Sequence, residues 1–461
     1  MEQWSEGTIM KNANIPTNDP PTTRRGFLKT SAALAGTAVL AQLDISRTAH
    51  AAGSGAIRIG LIGCGGRGTG AAGNALNAGP DIKLVAMGDL FPDHVQQSLK
   101  VLKKDHGDQV LVKEDHCFSG FDAYQDLLKS EIDAVLIAPT SHFIPTHLQA
   151  AIEAGKHVFC EKPHGIDMPG VKIALAAFEE ARRKNLAAVS GLCWRYDPGL
   201  REGMKRVQDG AIGEILTIQS TYVSAPYYPK DKKPEWSEME FQLRNWYHFN
   251  WLSGDQTAQQ LIHSIDKASW AMGDKPPARM WGLGGRQTCV APKFGDQFDH
   301  QTVIFEYANG SRVYGFTRDQ EDCYFDVSDC ILGTKGRLKF NAYKYALAIE
   351  GEKNWTYQLP DPKPNMYNLE HQALFDSIRA GKPVNNGDYA CLSTKLAIAA
   401  QIAVYTGQAL SWDKIEQSKR SFALEKYGLD VTPPLKPDKD GHYATAMQGK
   451  AETELWAMQE G

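Results

Sequence analysis

The feature that most constrains this chain is a glycine-rich turn, Gly63-Cys64-Gly65-Gly66-Arg67-Gly68, set between an apolar run and a stretch of small residues. Ala56 to Ile62 reads as a buried strand, and Thr69 to Ala78 as a helix. In such a strand–turn–helix unit, Gly63 makes the tight turn and Gly65 lets the backbone approach a pyrophosphate. Gly68 then lets helix and strand pack closely. The helix N-terminus presents free N–H groups and a positive dipole end to phosphates. Ile82 to Met87 forms a second strand that ends at Gly88-Asp89, and Asp89 lies 21 residues beyond Gly68, where an acid meets ribose hydroxyls. A carboxylate there repels a 2′-phosphate, so the pattern predicts NAD over NADP, with Arg67 still available to a phosphate.

The alternation of strand and helix continues, which predicts a parallel sheet with ligands beyond the strand C-termini. Asp133 to Pro139 reads as a strand, Thr146 to Ala154 as a helix, and Lys156 to Cys160 as a strand that delivers Glu161-Lys162-Pro163. Pro169 to Lys184 has helical spacing, and Leu186 to Ser190 returns as a strand. Pro139, Thr140, Ser141, His142, Lys162 and Pro163 all fall at such strand ends. His142 suits either a pocket wall or a surface loop. Lys162, facing a dinucleotide, is a candidate proton-transfer group.

The second half has a different grammar. Ile215 to Ser224 is β-rich, and Asn309-Gly310 separates two further β runs, a two-residue hairpin signal. Glu370 to Arg379 and Leu392 to Thr406 are helical, with Gly407 as a C-cap. His263 and Asp266 lie three apart in a segment that reads as a helix, hence on one face, where a carboxylate would orient the imidazole and raise its pKa. A satisfied core histidine is the alternative. Tyr222, Tyr227, Tyr228, Trp236, Trp246, Tyr247 and Trp251 crowd the stretch between the halves. Aromatic faces stack on the C–H faces of sugars, although core packing accounts for such residues equally well. Arg195, in Trp194-Arg195-Tyr196, either reaches the pocket or holds the domain junction by a salt bridge.

The length of 461 residues suits two domains. A formal charge of −4 and the absence of Lys/Arg blocks exclude a nucleic-acid binder of the usual basic type. Eight scattered cysteines show neither a C-x-x-C pair nor zinc spacing, so no metal is expected. Residues 1–51 read as a removable leader. Arg24-Arg25-Gly26-Phe27-Leu28-Lys29 fits a twin-arginine export signal, followed by an apolar run of about 13 residues, too short for the roughly 20 that span a bilayer. This predicts a periplasmic or secreted protein that is carried folded by the twin-arginine machinery and is not inserted stably in a membrane after cleavage. A dinucleotide would travel with such cargo and be recycled in place, because no soluble pool exists outside.

The chain resembles the glucose–fructose oxidoreductase / inositol dehydrogenase / rhizopine catabolism (Gfo/Idh/MocA) family. The resemblance is carried by the turn GCGGRG, by APTSHF, by AGKHVFCEKP, by GLCWRYDP, by QQLIHSID, and by SIRAGKPVNNG with YTGQALSWD. It covers roughly residues 56–415. It implies an α/β chain with an N-terminal Rossmann domain (56–190) and a C-terminal α+β domain (191–430) built on an open, mainly antiparallel sheet whose exposed face serves oligomerisation. Residues 431–461 would form an arm or tail. The implied catalytic residues are Lys162 and His263. The implied cofactor contacts are Gly63, Cys64, Gly65, Gly66, Arg67, Gly68, Asp89, Pro139, Thr140, His142, Glu161, Lys162 and Pro163. The substrate side would comprise Lys162, Arg195, Tyr196, Tyr222, Trp246, His263 and Asp266. Many family members carry an acid one helical turn before the histidine, whereas this chain has Gln259, so a Lys–Asp–His set does not transfer whole.

These readings predict an NAD(P)-dependent oxidoreductase acting on CH–OH groups of a sugar, polyol or glycoside. Two rivals stand beside it. One is a glycosidase that works by transient oxidation, elimination, hydration and re-reduction; the other is a non-enzymatic protein that holds NAD and binds sugar.

Overall fold

A computed structural model describes residues 55–449. The twin-arginine segment and residues 450–461 lie outside the described residues. The first sheet is six-stranded, in the order β3-β2-β1-β4-β5-β6. Its strands are β1 (Ile57–Ile62), β2 (Ile82–Asp89), β3 (Cys117–Ser119), β4 (Ala134–Ile137), β5 (His157–Cys160) and β6 (Ala188–Ser190). Every pairing is parallel. The crossover helices are α1 (Gly66–Leu76), α2 (Pro92–His106), α3 (Ala123–Leu128), α4 (Ile144–Glu153) and α5 (Met168–Arg183). Strands β4 and β5 are apolar and almost wholly buried because helices cover both faces of a parallel sheet. The strand order reverses direction between β1 and β4, which opens a crevice at their C-terminal ends.

Helix α6 (Pro198–Gln208), capped by the Asp197 carboxylate on the Leu200 N–H, leads into the second sheet. With β8 (Arg279–Gly285), β12 (Gly336–Asn341), β13 (Ala346–Gly351), β14 (Trp355–Thr356) and β15 (Leu410–Ser411) on its flanks, that sheet has nine strands in the order β14-β13-β12-β11-β7-β10-β9-β8-β15. Its centre is formed by β7 (Ile215–Ser224), β10 (Arg312–Asp319) and β11 (Asp326–Gly333). Only β7 and β10 run parallel; the other pairings are antiparallel. Burial alternates along β10, so one face packs inward and the other is solvated. The Asn309-Gly310 turn joins β9 (His300–Glu306) to β10, but through a longer loop than the two-residue expectation. Tyr307 and Ser311 still bond across it, and the Asn309 side chain accepts from the Ser311 N–H and hydroxyl.

Before the sheet closes, the chain forms α7 (Glu238–Arg244), α8 (Asn250–Ser253), a single π-helical stretch (Thr257–Leu261) and α9 (Ile262–Ala271). Helix α10 (Met366–Arg379) follows the sheet, and α11 (Gly387–Thr406) ends at Gly407 in the left-handed region, φ +67°. Helix α11 is buried nearly all round, as a helix packed on several sides must be. It packs on both α5 and the second sheet, and one continuous apolar core runs through both halves. The arm after residue 431 is ordered as far as it is described. Leu435 and Tyr443 are buried among Phe241, Phe249 and Trp251. Among the described residues no helix is long and apolar enough to cross a membrane.

Candidate active site

The glycine turn has the geometry its sequence requires. Gly63 sits at φ +88°, and a Cβ there would lie 2.3 Å from the Ala138 carbonyl oxygen. A Cβ on Gly68 would lie 1.8 Å from the Gly63 oxygen. Gly65 and Gly66, by contrast, face open space at the N-terminus of α1, whose first N–H groups receive no side-chain cap. The turn therefore packs where glycine is sterically compulsory and stays open where a pyrophosphate would approach. Asp89 ends β2 and holds the turn: one carboxylate oxygen accepts the Cys64 N–H at 2.7 Å, and the other accepts the Phe91 N–H at 2.9 Å and lies 3.1 Å from His94 Nδ1. A carboxylate has about four acceptor positions, which leaves room for one ribose hydroxyl.

A cavity of about 880 Å³ runs from this turn to the second half of the chain. Its Rossmann wall carries Cys64, Gly65, Gly66, Arg67, Pro139, Glu161 and Lys162. Its opposite wall carries Tyr222, Tyr227, Trp246, Tyr247, Gln260 and His263. A smaller cavity of about 170 Å³ flanks the turn and is lined by Gly63, Gly68, Asp89, Thr140 and Trp246.

Lys162 leaves the end of β5, and the Lys162–Pro163 peptide is cis. Pro163 itself lines neither cavity. The Lys162 Nζ donates to the backbone carbonyl of Gln259 at 2.5 Å. Glu161 does not neutralise the ammonium directly. Its carboxylate pairs with Arg67 Nε at 3.1 Å and accepts the Lys162 backbone N–H at 3.3 Å. Burial pushes the Lys162 pKa down, against the upward pull of Glu161. Arg67 is held by Glu161, by Asn74 Oδ1 at 3.0 Å and by the Tyr367 ring, 4.9 Å from its guanidinium carbon.

The π-helical stretch supplies the groups facing the lysine. It directs the Gln259 carbonyl at Lys162, while the Gln259 amide donates to Ser141 Oγ at 2.9 Å and to the Ser253 carbonyl. Gln259 thus faces the lysine with a main-chain oxygen rather than a carboxylate. His263 lines the same cavity, and its buried Nδ1 has no hydrogen-bond partner among the described residues. Burial, then the charges of Lys162, Lys267 and Arg67, hold its pKa well below the usual histidine value, so the imidazole is neutral. Tyr222 lies roughly parallel to it, with ring centres 6.5 Å apart.

Several expectations are corrected. Asp266 does not orient His263 or raise its pKa. Its carboxylate is taken by Arg195 at 2.8 Å and by Ser393 Oγ at 2.8 Å. Arg195 also pairs with Asp274 at 2.7 Å and lies over Trp270 and Tyr389. It holds the junction rather than reaching the pocket, because a buried guanidinium needs the two carboxylates. Tyr196 donates to Asn386 Oδ1 at 2.8 Å, also away from the cavities. His142 lines neither cavity. Its ring is fixed by the Trp251 carbonyl at 2.9 Å and the Tyr427 hydroxyl at 2.6 Å, and burial lowers its pKa to about 4.

Three groups escaped the sequence reading. Gln260, inside QQLIHSID but given no role there, and Tyr367, outside any motif, both line the cavity. Glu370, fully buried in α10, is driven well above the ordinary carboxyl range by burial and by the neighbouring Glu161, so it stays protonated. Its only trace in the sequence is a charged residue at a core-facing helical position.

Residues 57–189 match the "Oxidoreductase family, NAD-binding Rossmann fold", and residues 200–339 match the "GFO/IDH/MocA C-terminal domain". The chain belongs to the Gfo/Idh/MocA family of NAD(P)-dependent oxidoreductases. It is similar to inositol 2-dehydrogenase 3 of Saccharopolyspora erythraea, at 26% identity over 61% of this chain and 77% of the relative. It is also similar to 2,7-anhydro-N-acetylneuraminate hydratase of Escherichia coli, at 24% identity over 48% and 55%. Its fold matches that of aldose–aldose oxidoreductase from Caulobacter crescentus, with TM-score 0.61 and 18% identity over 77% of this chain and 99% of that one.

Proposed function

We propose that this protein oxidises a CH–OH group of a sugar, polyol or glycoside with NAD that stays bound and is re-reduced or re-oxidised in place. The observation that carries the reading is the Lys162 ammonium, whose pKa is lowered by burial, in one cavity with an open glycine turn and a neutral histidine. Bound NAD supplies a hydride acceptor in oxidation and a hydride donor in the return step. Lys162 in its neutral form takes the hydroxyl proton as the C–H bond breaks, and in the return step the ammonium gives that proton to the carbonyl oxygen. The Gln259 carbonyl fixes Nζ but adds no charge that would hold the proton on it. Neutral His263 hydrogen-bonds a substrate hydroxyl, and the aromatic wall takes the C–H faces of the ring.

Retention of the cofactor is supported by the segment that crosses the cavity. Arg244, at the end of α7, binds Asp93 at the start of α2 through two bonds, at 3.1 and 3.2 Å, and lies 3.8 Å over the Phe91 ring. Trp246, two residues on, lines both cavities. A strap tied to the Rossmann half in this way would have to open before a dinucleotide left. The twin-arginine-like leader supports export of the folded, loaded protein to the periplasm, and the solvated sheet face supports a homo-oligomer.

A second reading, in which oxidation only acidifies a neighbouring C–H for elimination and hydration, is favoured by the relative named as a hydratase. One experiment separates the readings. The protein purified from the periplasm is mixed with a sugar panel in deuterated water while absorbance is followed at 340 nm. Net cofactor reduction with no deuterium in the carbon skeleton supports the oxidoreductase. Deuterium incorporation into a released sugar without net reduction supports the redox-neutral route. Denaturing the same sample must release bound NAD; a cofactor-free protein would defeat the recycling proposal.

A further inference from the structure

The cavity wall that faces away from the cofactor does not stop at the buried pocket. Tyr222 donates to or accepts from the Tyr227 hydroxyl at 3.2 Å, and Tyr227 stacks on Tyr247 with centres 5.4 Å apart and planes 16° from parallel. Tyr228 comes next, with its ring edge-on to Tyr227 at 5.9 Å, and it lines the same cavity although 84% of its surface is exposed. Its backbone lies at φ +47°, a left-handed conformation costly for a bulky aromatic residue. Hydrophobic burial does not stabilise that conformation, because the ring is in water.

Aromatic faces thus continue from His263 to the outside surface. Exposed aromatic patches that adjoin a cavity mark binding surfaces. Flat faces with hydroxyl rims fit the alternating C–H faces and hydroxyl edges of pyranose rings. A monosaccharide held at Lys162 and His263 needs neither Tyr227 nor Tyr228, which are reached from His263 by way of Tyr222. We propose that these rim residues form a second sugar subsite, so that the substrate is a glycoside of at least two rings: the ring to be oxidised sits between Lys162 and His263, and the next ring stacks on Tyr228. The occupant is a sugar ring, rather than a second protein chain, because the aromatic wall is continuous with the cavity. This inference rests on the sugar-oxidising reading for the identity of the inner ring.

The test is binding measured apart from turnover. Glucose and galactose are compared with cellobiose, lactose and maltose by saturation-transfer difference NMR and titration, using the full protein with its bound cofactor. At least one disaccharide is expected to bind about tenfold more tightly than its parent monosaccharide, with saturation on both rings. Tyr228→Ala removes that advantage and leaves monosaccharide binding unchanged, while Tyr228→Trp retains it. The proposal is overturned if no disaccharide in the panel binds better than a monosaccharide, or if Tyr228→Ala weakens both alike. It is also overturned if Tyr228→Ala changes only the sedimentation of the protein, which would make the rim a self-association surface. A disaccharide that binds through Tyr228 without ever changing absorbance at 340 nm would defeat the oxidoreductase reading while leaving the subsite intact.

Discussion

The two walls of the cavity are built on opposite principles. The Rossmann wall carries formal charge: Arg67 against Glu161, Lys162 beside them, and Asp89 at the edge. The opposite wall presents aromatic rings, the Gln259 carbonyl, the Gln260 amide and a neutral imidazole. Of its two cations, Lys230 and Arg244, the latter is occupied by Asp93 and Glu240. The wall that meets a charged dinucleotide and moves a proton needs groups that carry charge. The wall that recognises an uncharged polyhydroxy ring gains more from flat faces and neutral hydrogen-bonding groups, which lose less solvation when enclosed.

The hardest test of this contrast removes the one group that has to change charge. Lys162→Met should lower the single-turnover rate of hydride transfer by about 10³-fold, inside the range for loss of a general acid–base, with NAD still bound. A rate within threefold of the parent would mean that proton transfer is carried by the opposite wall. The pH profile sharpens the same point. Because burial lowers the Lys162 pKa, its neutral form is reached at lower pH than in a free lysine, so kcat/KM for oxidation should rise along a single limb that lies below pH 10.5. No limb should appear near 6.5, because His263 is already neutral there. A limb near 6.5 that vanished in His263→Gln would place a titrating charge on the wall described here as neutral. His263→Gln, which keeps hydrogen-bonding capacity but loses the ring, should cost about 10²-fold.

The two walls also differ in how far they could be read from sequence. The Rossmann wall was legible because backbone geometry dictates residue identity there. Only glycine fits at 63 and 68, and Asp89 and Lys162 end strands whose order fixes their place. The opposite wall is assembled from long-range contacts that leave no local pattern. The pairing His263/Asp266 has correct helical spacing, yet Asp266 faces Arg195 and Ser393 across the junction. A π-helical stretch moves the register at Gln259, so what reaches Lys162 is main chain, which no side-chain motif reports. The aromatic run was visible, but its division between core residues such as Trp251 and cavity residues such as Trp246 was set by tertiary packing.

A smaller effect concerns the strap that joins the walls. Arg244→Met keeps the aliphatic stem but loses the bonds to Asp93 and the guanidinium over Phe91. It should speed dinucleotide release by about tenfold, equivalent to about 1.4 kcal/mol. Fluorescence of bound reduced cofactor chased with excess unlabelled NAD would measure it. Release at the parental rate would show that the strap's charges do not govern retention.

The smallest expected effect is on stability, and it extends the contrast beyond the cavity. Both halves bury neutral histidines: burial lowers His147 to about 3 and His142 and His164 to about 4 in the Rossmann half, and His371 to about 3 and His248 to about 4 in the second half. The second half also buries carboxyl groups raised by burial, Asp296 to about 6, Asp255 to about 7 and Asp319 to about 8. Each such histidine contributes stability that is complete above its unfolded pKa of about 6.5 and is lost as pH falls toward its folded value. Each such aspartic acid does the reverse: its folded form keeps a proton that the unfolded chain releases above about 3.9, so it destabilises increasingly as pH rises toward its folded value. Between about pH 4 and 6.5 the two sets oppose one another, and the melting temperature should vary little. Asp319→Asn keeps an oxygen for the Ser224 hydroxyl but cannot ionise. Its advantage in melting temperature over the parent should therefore widen from pH 5 to pH 8, by roughly 2–4 °C for each kcal/mol of the lost term. A gap that stayed constant across that interval would mean that Asp319 is ionised in the folded protein, and that the second half tolerates buried charge as the Rossmann wall does.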